Sequence, residues 1–279
     1  MTYGAIMTPS RHTEAPQWTN NMAESCSLSL AFQPVIDIAR GNSAAVAFES
    51  LLRITIGGVT RGPVGLVEKA EANGSIVAID RWVITEVIQL ARVRPMLNVW
   101  INTSQLSIAD PDFLTEAIRA LIASRTLRRI SFEITETANV DAELLAKRLD
   151  ALKMRAITVL IDDIRDGYAK KSLLLSDAVA GCKLSRETML ELHTSDRVRA
   201  EVEQLLSLCR LHQKKVVLEG IETDEDLAIA REMAIPLGQG YLFARPSAAE
   251  LLTQYHQMQD VAAHKNTRPK AARGYPQRG

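Results

Sequence analysis

A parallel α/β fold closed into a (β/α)8 barrel is what this sequence predicts, and three observations carry the prediction. Short apolar runs that read as strands alternate with apolar residues at helical spacing from Ser27 to about Met258, the rhythm of strand-helix-strand units. The number of such units favours a closed barrel over an open sheet. Finally, Glu49, Asn102, Glu133, Asp162, Asp163, Lys183, Glu219 and Gln239 each fall at or near the C-terminal end of a predicted strand, the face on which barrel active sites form.

The elements follow in order. Ser27 to Ile38 alternates like a strand, interrupted by Pro34, and Gly41-Asn42 is a turn signal for a hairpin. The return strand, Ala44 to Phe48, ends at Glu49 with Arg53 just beyond; alone, such a pair is an ordinary surface ion pair. Apolar residues at helical spacing mark Leu66 to Asn73, stopped by Gly74, and Ile79 to Arg92. Leu97 to Ile101 is a strand ending at Asn102. A helix from Phe113 to Arg125 takes Asp110 as N-cap and Pro111 in its first turn. Arg129 to Glu136 is a strand with Glu133 and Glu136 near its end, and Leu144 to Arg155 is a helix.

The chain then reaches Thr158-Val159-Leu160-Ile161-Asp162-Asp163, which reads as a strand buried on both faces and closed by two adjacent carboxylates. Such neighbours repel and raise each other's pKa unless a cation sits between them. One Asp capping a helix with the other in solvent is the plainer alternative. Ala178 to Leu184 is a short strand with Lys183 near its end, Val198 to His212 a helix, and Lys215 to Leu218 a strand ending at Glu219. Asp224 to Met233 is helical, Ile235 to Phe243 carries Gln239, and a last helix runs from about Ala248 to Met258.

Composition bounds the function. The 279 residues are 47% hydrophobic and carry 33 basic and 33 acidic side chains, enough for a sizeable core. With zero formal net charge, no overall field recommends DNA, RNA or an anionic membrane; no specific nucleic-acid binding is expected, and an anionic ligand has to be held locally. Cys26, Cys182 and Cys209 lack metal-ligand spacing and are odd in number, which suits a reducing cytoplasm. No run reaches the roughly 18 apolar residues that span a bilayer, and Met1 to Glu24 lacks the order of a secretion signal. The expected organisation is a flexible segment over residues 1–26, a barrel over 27–259 and a basic flexible tail over 260–279. No further folded domain is expected in the residues outside the barrel.

Oxygen donors without His or Cys select a hard divalent cation, Mg²⁺ or Mn²⁺. Glu49, Asn102, Glu133 and Asp162 could hold one ion, and Asp163 and Glu219 a second with Asp162 bridging. Two ions about 4 Å apart would activate a water and stabilise the leaving oxygen of an in-line phosphoryl displacement. Lys183 would orient that water or offset charge on the phosphorane; its plainer role is a salt bridge.

Taken in succession, Phe48-Glu49-Ser50-Leu51-Leu52-Arg53, Ile101-Asn102-Thr103-Ser104, Phe132-Glu133-Ile134-Thr135-Glu136, Ile161-Asp162-Asp163, Cys182-Lys183-Leu184, Glu219-Gly220-Ile221-Glu222-Thr223 and Gln239-Gly240-Tyr241-Leu242-Phe243-Ala244-Arg245-Pro246 resemble the EAL-domain family, from about Ala31 to Tyr255. The resemblance implies a (β/α)8 barrel with an antiparallel first strand and metal-dependent hydrolysis of cyclic di-GMP to linear pGpG. It implies metal ligation by Glu49, Asn102, Glu133, Asp162 and Asp163, with Glu219 as ligand or general base. It places Lys183 near the hydrolytic water, Gln239 beside the site, Arg53 on a substrate phosphate, and Glu136 and Glu222 in support of the mouth loops. A homodimer is implied by the resemblance alone.

Departures from the family are local. Asp162-Asp163 is followed by Ile164-Arg165-Asp166-Gly167-Tyr168 where Phe-Gly-Thr-Gly-Tyr is usual, so Arg165 replaces a glycine free to take positive φ. Ser185 stands where the family has Asp after Lys-x, and Ile54 where Trp is common. Two readings follow: a working phosphodiesterase, favoured because every expected ligand is present, and a weakened or inactive domain that binds the nucleotide or a regulatory protein partner.

Overall fold

The computed structural model describes residues 26–39, 45–63, 65–135, 140–164, 173–249 and 252. The expected turn at Gly41-Asn42, Glu136, Arg165, Asp166, the first 25 residues, most of the last helix and the basic tail lie outside the described residues.

The chain opens with two long strands, β1 (Cys26–Asp37) and β2 (Ala45–Ile56), paired antiparallel almost end to end. Beyond β2, Gly57 and Gly58 both take positive φ, and β3 (Val59–Arg61) folds back on it. The return strand was expected to stop at Glu49; it continues because its outer half keeps pairing with β1, so only Phe48 to Ser50 pairs with the next barrel strand. Helices α1 (Leu66–Asn73) and α2 (Ile76–Val93) follow, with Gly74 ending α1 at φ 78 as a left-handed C-cap.

Parallel strands then alternate with helices. β4 (Val99–Ser104) leads to a short α3 (Gln105–Ala109), which the sequence reading missed, and to α4 (Pro111–Ala123), where the Asp110 carboxylate accepts the Phe113 N–H at 2.7 Å. β5 (Ile130–Thr135), α5 (Ala142–Lys153), β6 (Val159–Ile161) and β7 (Gly181–Leu184) come next. After them stand α6 (Arg186–Leu192), α7 (Asp196–Leu211), β8 (Lys215–Leu218), α8 (Asp224–Glu232), β9 (Leu237–Gly238) and β10 (Ser247–Ala248). No described helix is long and apolar enough to cross a membrane.

Closure runs β1-β2-β4-β5-β6-β7-β8-β9 and back to β1. β1 is antiparallel to both neighbours, whereas every pair from β2 to β9 is parallel. Because side chains alternate along a strand, each strand sends one set outward to the helices and one inward. Outward-facing Phe48, Ile101, Phe132, Ile161, Cys182 and Leu218 belong to the large core beneath the helices. Inward-facing Val35, Ala47, Trp100, Leu160, Val217 and Leu237 form a separate apolar plug. Trp100, the largest member, shares the plug with small Ala47 and is paired across the strands with Ser131.

Candidate active site

Two residues further along each strand the inward layer turns polar. Gln33, Glu49, Asn102, Glu133, Asp162, Lys183, Glu219 and Gln239 stand over the apolar plug; register sets Gln33 opposite Glu49 and Asn102 opposite Glu133, while Glu49 is opposite Trp100, Glu133 opposite Leu160 and Lys183 opposite Val217, the stagger of a closed barrel. Strand pairing therefore gathers residues nearly two hundred positions apart. Glu133 is 0% exposed, Lys183 1% and Glu49 5%.

Lys183 is the hub. Its Nζ lies 3.2 Å from Glu49, 3.4 Å from Glu133 and 3.4 Å from Asp162, and also contacts Glu219. Burial opposes its charge, but the carboxylates of Glu133, Glu219, Glu49 and Asp162 outweigh that and hold its pKa well above the ordinary lysine value. Glu49 is also held by amides: Asn102 donates to Oε1 at 2.7 Å and Gln239 to Oε2 at 2.7 Å. Burial would raise its pKa, yet Lys183 and these hydrogen bonds bring it below the usual range. Glu133 lacks such amide donors, and burial drives its pKa well upward against the pull of Lys183. Burial likewise pushes Glu219 up to about 7, and it raises Asp163 with help from the Asp162 charge.

Asp163 takes φ 48, a left-handed conformation that Asp tolerates better than most side chains. The next residue, Ile164, donates its N–H to the Lys183 carbonyl at 3.0 Å. Ser185, the departure beside the lysine, caps α6 by accepting the Thr188 N–H, the same service an Asp would give.

Among the described residues, no three His, Cys, Asp or Glu side chains are already arranged as a metal cage. Four of the five carboxylates expected to ligate cations, Glu49, Glu133, Asp162 and Glu219, also lie against the Lys183 ammonium. The donor set nonetheless fits a hard cation. Glu133 Oε1 and Asp162 Oδ1 are buried without a hydrogen-bond partner, although Nζ is near the latter, and all donors are oxygens.

The layer opens into a cavity of about 710 Å³, rimmed by Leu51, Asp163, Arg186, Glu222, Tyr241 and Arg245. Glu222 pairs with Arg186 at 3.1 Å, and the Arg245 guanidinium lies 4.1 Å above the Tyr241 ring. A second cavity of about 220 Å³ meets the first at Leu51 and Asn102, and here Arg53 is found. Its Nη1 donates to the Leu52 carbonyl at 2.9 Å. Asp80 lines the same cavity and accepts the Ser104 N–H at 3.0 Å; burial lifts its pKa to about 7 despite that hydrogen bond.

Sequence reasoning missed Asp80, Gln33 and Arg186. Asp80 did carry a signal, a carboxylate on the buried stripe of α2 between Ile79 and Val83. Gln33 alternates inward with Val35 along β1. It accepts from Gln239 at 3.1 Å and donates to the Ala244 carbonyl at 3.0 Å, tying β1 to the turn after β9.

The fold and its mouth define a class, a (β/α)8 barrel with one reversed strand and a lysine-centred ring of carboxylates and amides. The chain belongs to the EAL domain family, whose model matches residues 17–246. The cyclic di-GMP phosphodiesterase NbdA of Pseudomonas aeruginosa is 27% identical over 237 residues, covering 82% of this chain and 30% of that protein. The first three curated relatives are each covered over only 29% to 31% of their length. Among solved structures, the PaMucR phosphodiesterase in complex with c-di-GMP superposes with a TM-score of 0.73 at 27% identity, over 81% of this chain and 94% of that one. The FimX EAL domain from Pseudomonas aeruginosa bound to c-di-GMP gives 0.68 at 25% identity, over 79% and 90%.

Proposed function

We propose that this barrel hydrolyses cyclic di-GMP to linear pGpG with two Mg²⁺ or Mn²⁺ ions held at its mouth. The observation that carries the reading is the single polar layer in which Glu49, Asn102, Glu133, Asp162, Lys183 and Glu219 meet, with Glu133 Oε1 and Asp162 Oδ1 buried without a hydrogen bond. Glu49, Asn102, Glu133 and Asp162 would hold one ion, and Asp163 and Glu219, sharing Asp162, the other. Bound there, such ions supply Lewis-acid charge and an acidified water for phosphodiester cleavage.

The chain's own groups do the rest. A pKa of about 7 suits Glu219 to hold a proton or release it near neutral pH. Lys183 places positive charge in the layer where the cleaved phosphate would sit, and Gln239 keeps Glu49 oriented. The second cavity supports guanine as the base. Arg53 and Asp80 stand among apolar Val67, Ile76, Ile79 and Val83 and polar Ser50, Asn102 and Thr135. A guanidinium matches the O6 and N7 acceptors of guanine, and a carboxylate its N–H donors. Arg53, assigned by resemblance to a phosphate, is accordingly proposed to hold the nucleotide from this side cavity.

On resemblance to the family, the chain is further proposed to act as a homodimer in the cytoplasm. A second reading, a domain that binds the nucleotide and acts by contact with a protein partner, is motivated by the departures from the family at Arg165 and Ser185. Turnover of cyclic di-GMP with Mg²⁺ or Mn²⁺ separates the two. The enzyme reading expects pGpG well above a Glu49→Ala control; nucleotide binding without any pGpG above that control would sustain the second.

A further inference from the structure

The end of the barrel opposite the mouth has a charge of its own. Because β4 to β9 run parallel, the loops that lead into them, 94–98, 124–129, 154–158, 176–180, 212–214 and 233–236, all lie at that end. They carry Arg94, Arg125, Arg128, Arg129, Arg155 and Lys214 against a single acid, Asp177. Zero net charge therefore conceals a separation, with carboxylates gathered at the mouth and cations at the base.

Part of this charge has a plain structural use. Basic residues in the last turns of α2, α5 and α7, namely Arg92, Lys153 and Arg210, face the negative ends of their helices. Arg129 donates to the Ala91 and Arg94 carbonyls at 2.7 and 3.0 Å, and Lys214 to the carbonyls of Ser176 and Val179. Lys153 pairs with Asp177 at 3.3 Å. Arg125, Arg128 and Lys215, the first residue of β8, are exposed and enter no ion pair among the described residues.

Helix dipoles give no reason for apolar side chains in the same place. Yet Val93, Met96, Met154 and Leu211, 75% to 83% exposed, are the most exposed large apolar residues among those described, and all four are here. Their setting is regular. α4, α5 and α7 each end through a left-handed residue, Arg125, Ala156 and Gln213, and the next N–H returns to the carbonyl five residues before it. Met154 and Leu211 stand two residues before the left-handed position, so one motif presents both at the base of the barrel.

Exposed apolar tips set among unpaired cations match the chemistry of an anionic bilayer, whose headgroups attract the cations while the tips enter the interface. A second copy of this face would be repelled by like charge. A nucleic acid would meet the cations but gain nothing from the methionines, and the loops offer no Phe, Tyr or Trp on which a base could stack.

We propose that the base of the barrel is a docking surface for anionic lipid. Arg125, Arg128 and Lys215 bind the headgroups, and Val93, Met96, Met154 and Leu211 enter the headgroup region. Docked in this way, the mouth faces away from the bilayer and stays open to a soluble ligand. The assignment is independent of what the mouth binds or cleaves.

The test is co-sedimentation of the full chain with vesicles of phosphatidylcholine alone and of phosphatidylcholine with phosphatidylglycerol. Binding should be about tenfold or more tighter on the anionic vesicles and should weaken with added salt. The double variant Arg125→Glu/Arg128→Glu should lose about tenfold or more, and Met96→Gln/Met154→Gln about threefold or more at unchanged charge. These four positions are exposed, so both variants should melt near the wild type, and Glu49→Ala at the mouth should bind vesicles as the wild type does. No preference for the anionic vesicles would overturn the proposal. So would binding that survives both double variants, which would place the contact elsewhere, the basic residues of 260–279 included. Loss with the arginines but none with the methionines would make this face a general polyanion surface and overturn the lipid assignment; competition by duplex DNA would then identify nucleic acid as its partner.

Discussion

Two layers fill the inside of this barrel, two residues apart on the same strands, and they behave in opposite ways. The lower one, with Val35, Trp100, Leu160 and Val217, is apolar and complete in itself. The upper one, with Glu49, Glu133, Asp162 and Glu219 around Lys183, is buried at Glu49, Glu133 and Lys183 and opens to the cavity at Asp162 and Glu219; it depends on a single ammonium, and two of its carboxylate oxygens find no hydrogen bond. Burial stabilises the first layer through lost water contact and strains the second through lost solvation. Within one barrel, stability is concentrated below and reactivity above, and a spacing of two residues separates them.

The sharpest way to break the comparison is to remove each layer's centre. Lys183→Met leaves the upper carboxylates without their counter-charge and should cost about 3–5 kcal/mol of stability in chelator-treated protein, read by urea denaturation. Millimolar Mn²⁺ should restore much of that loss, because a divalent cation supplies the missing charge. Trp100→Ala should cost a similar 3–5 kcal/mol by leaving a hole in the lower layer, but Mn²⁺ should restore none of it. Equal rescue of both variants would mean that the layers are not independent.

A pH titration reads the same contrast more gently. Asp80 and Glu219 have folded pKa values of about 7, raised by burial from 3.8 and 4.5. For a carboxyl with a raised folded pKa, the folded state binds the extra proton, so its contribution is full below the unfolded value and is lost as pH climbs through the folded one. Metal-free protein should therefore lose stability between about pH 4 and pH 7, on the order of 3 kcal/mol for a group shifted this far. Asp80→Asn should flatten part of the slope, and thermal melts across that window would reveal a slope unchanged by the variant if Asp80 is not responsible. Smallest of all, Ser185→Asp should alter stability by no more than about 0.5 kcal/mol, since either residue caps α6. A change in turnover without a change in melting would then assign the departure at 185 to electrostatics beside Lys183.

Much of this was legible in the sequence, for local reasons. Strand alternation is a property of successive residues, so polar side chains at the ends of apolar runs already pointed to a mouth, and the Asp110-Pro111 start of α4 was readable from its cap. Asp80 was harder because an acid on the buried stripe of a helix reads as an irregularity until the cavity it lines is known. Arg186 was invisible on the rim of the mouth, because an arginine at a helix start carries no sign of Gly220, the glycine that receives its stem.

What the residues determined by themselves was which positions face inward and which of those are polar, because a period of two is written in neighbouring side chains. Tertiary structure alone decided the rest. Closing the ring through an antiparallel β1 brought Gln33 within hydrogen-bond reach of Gln239, and pairing β7 between β6 and β8 put one lysine within reach of four acids. Charge state follows from those non-local neighbours. How strongly a carboxylate resists ionising depends on what excludes water around it, and that is settled only when distant strands meet.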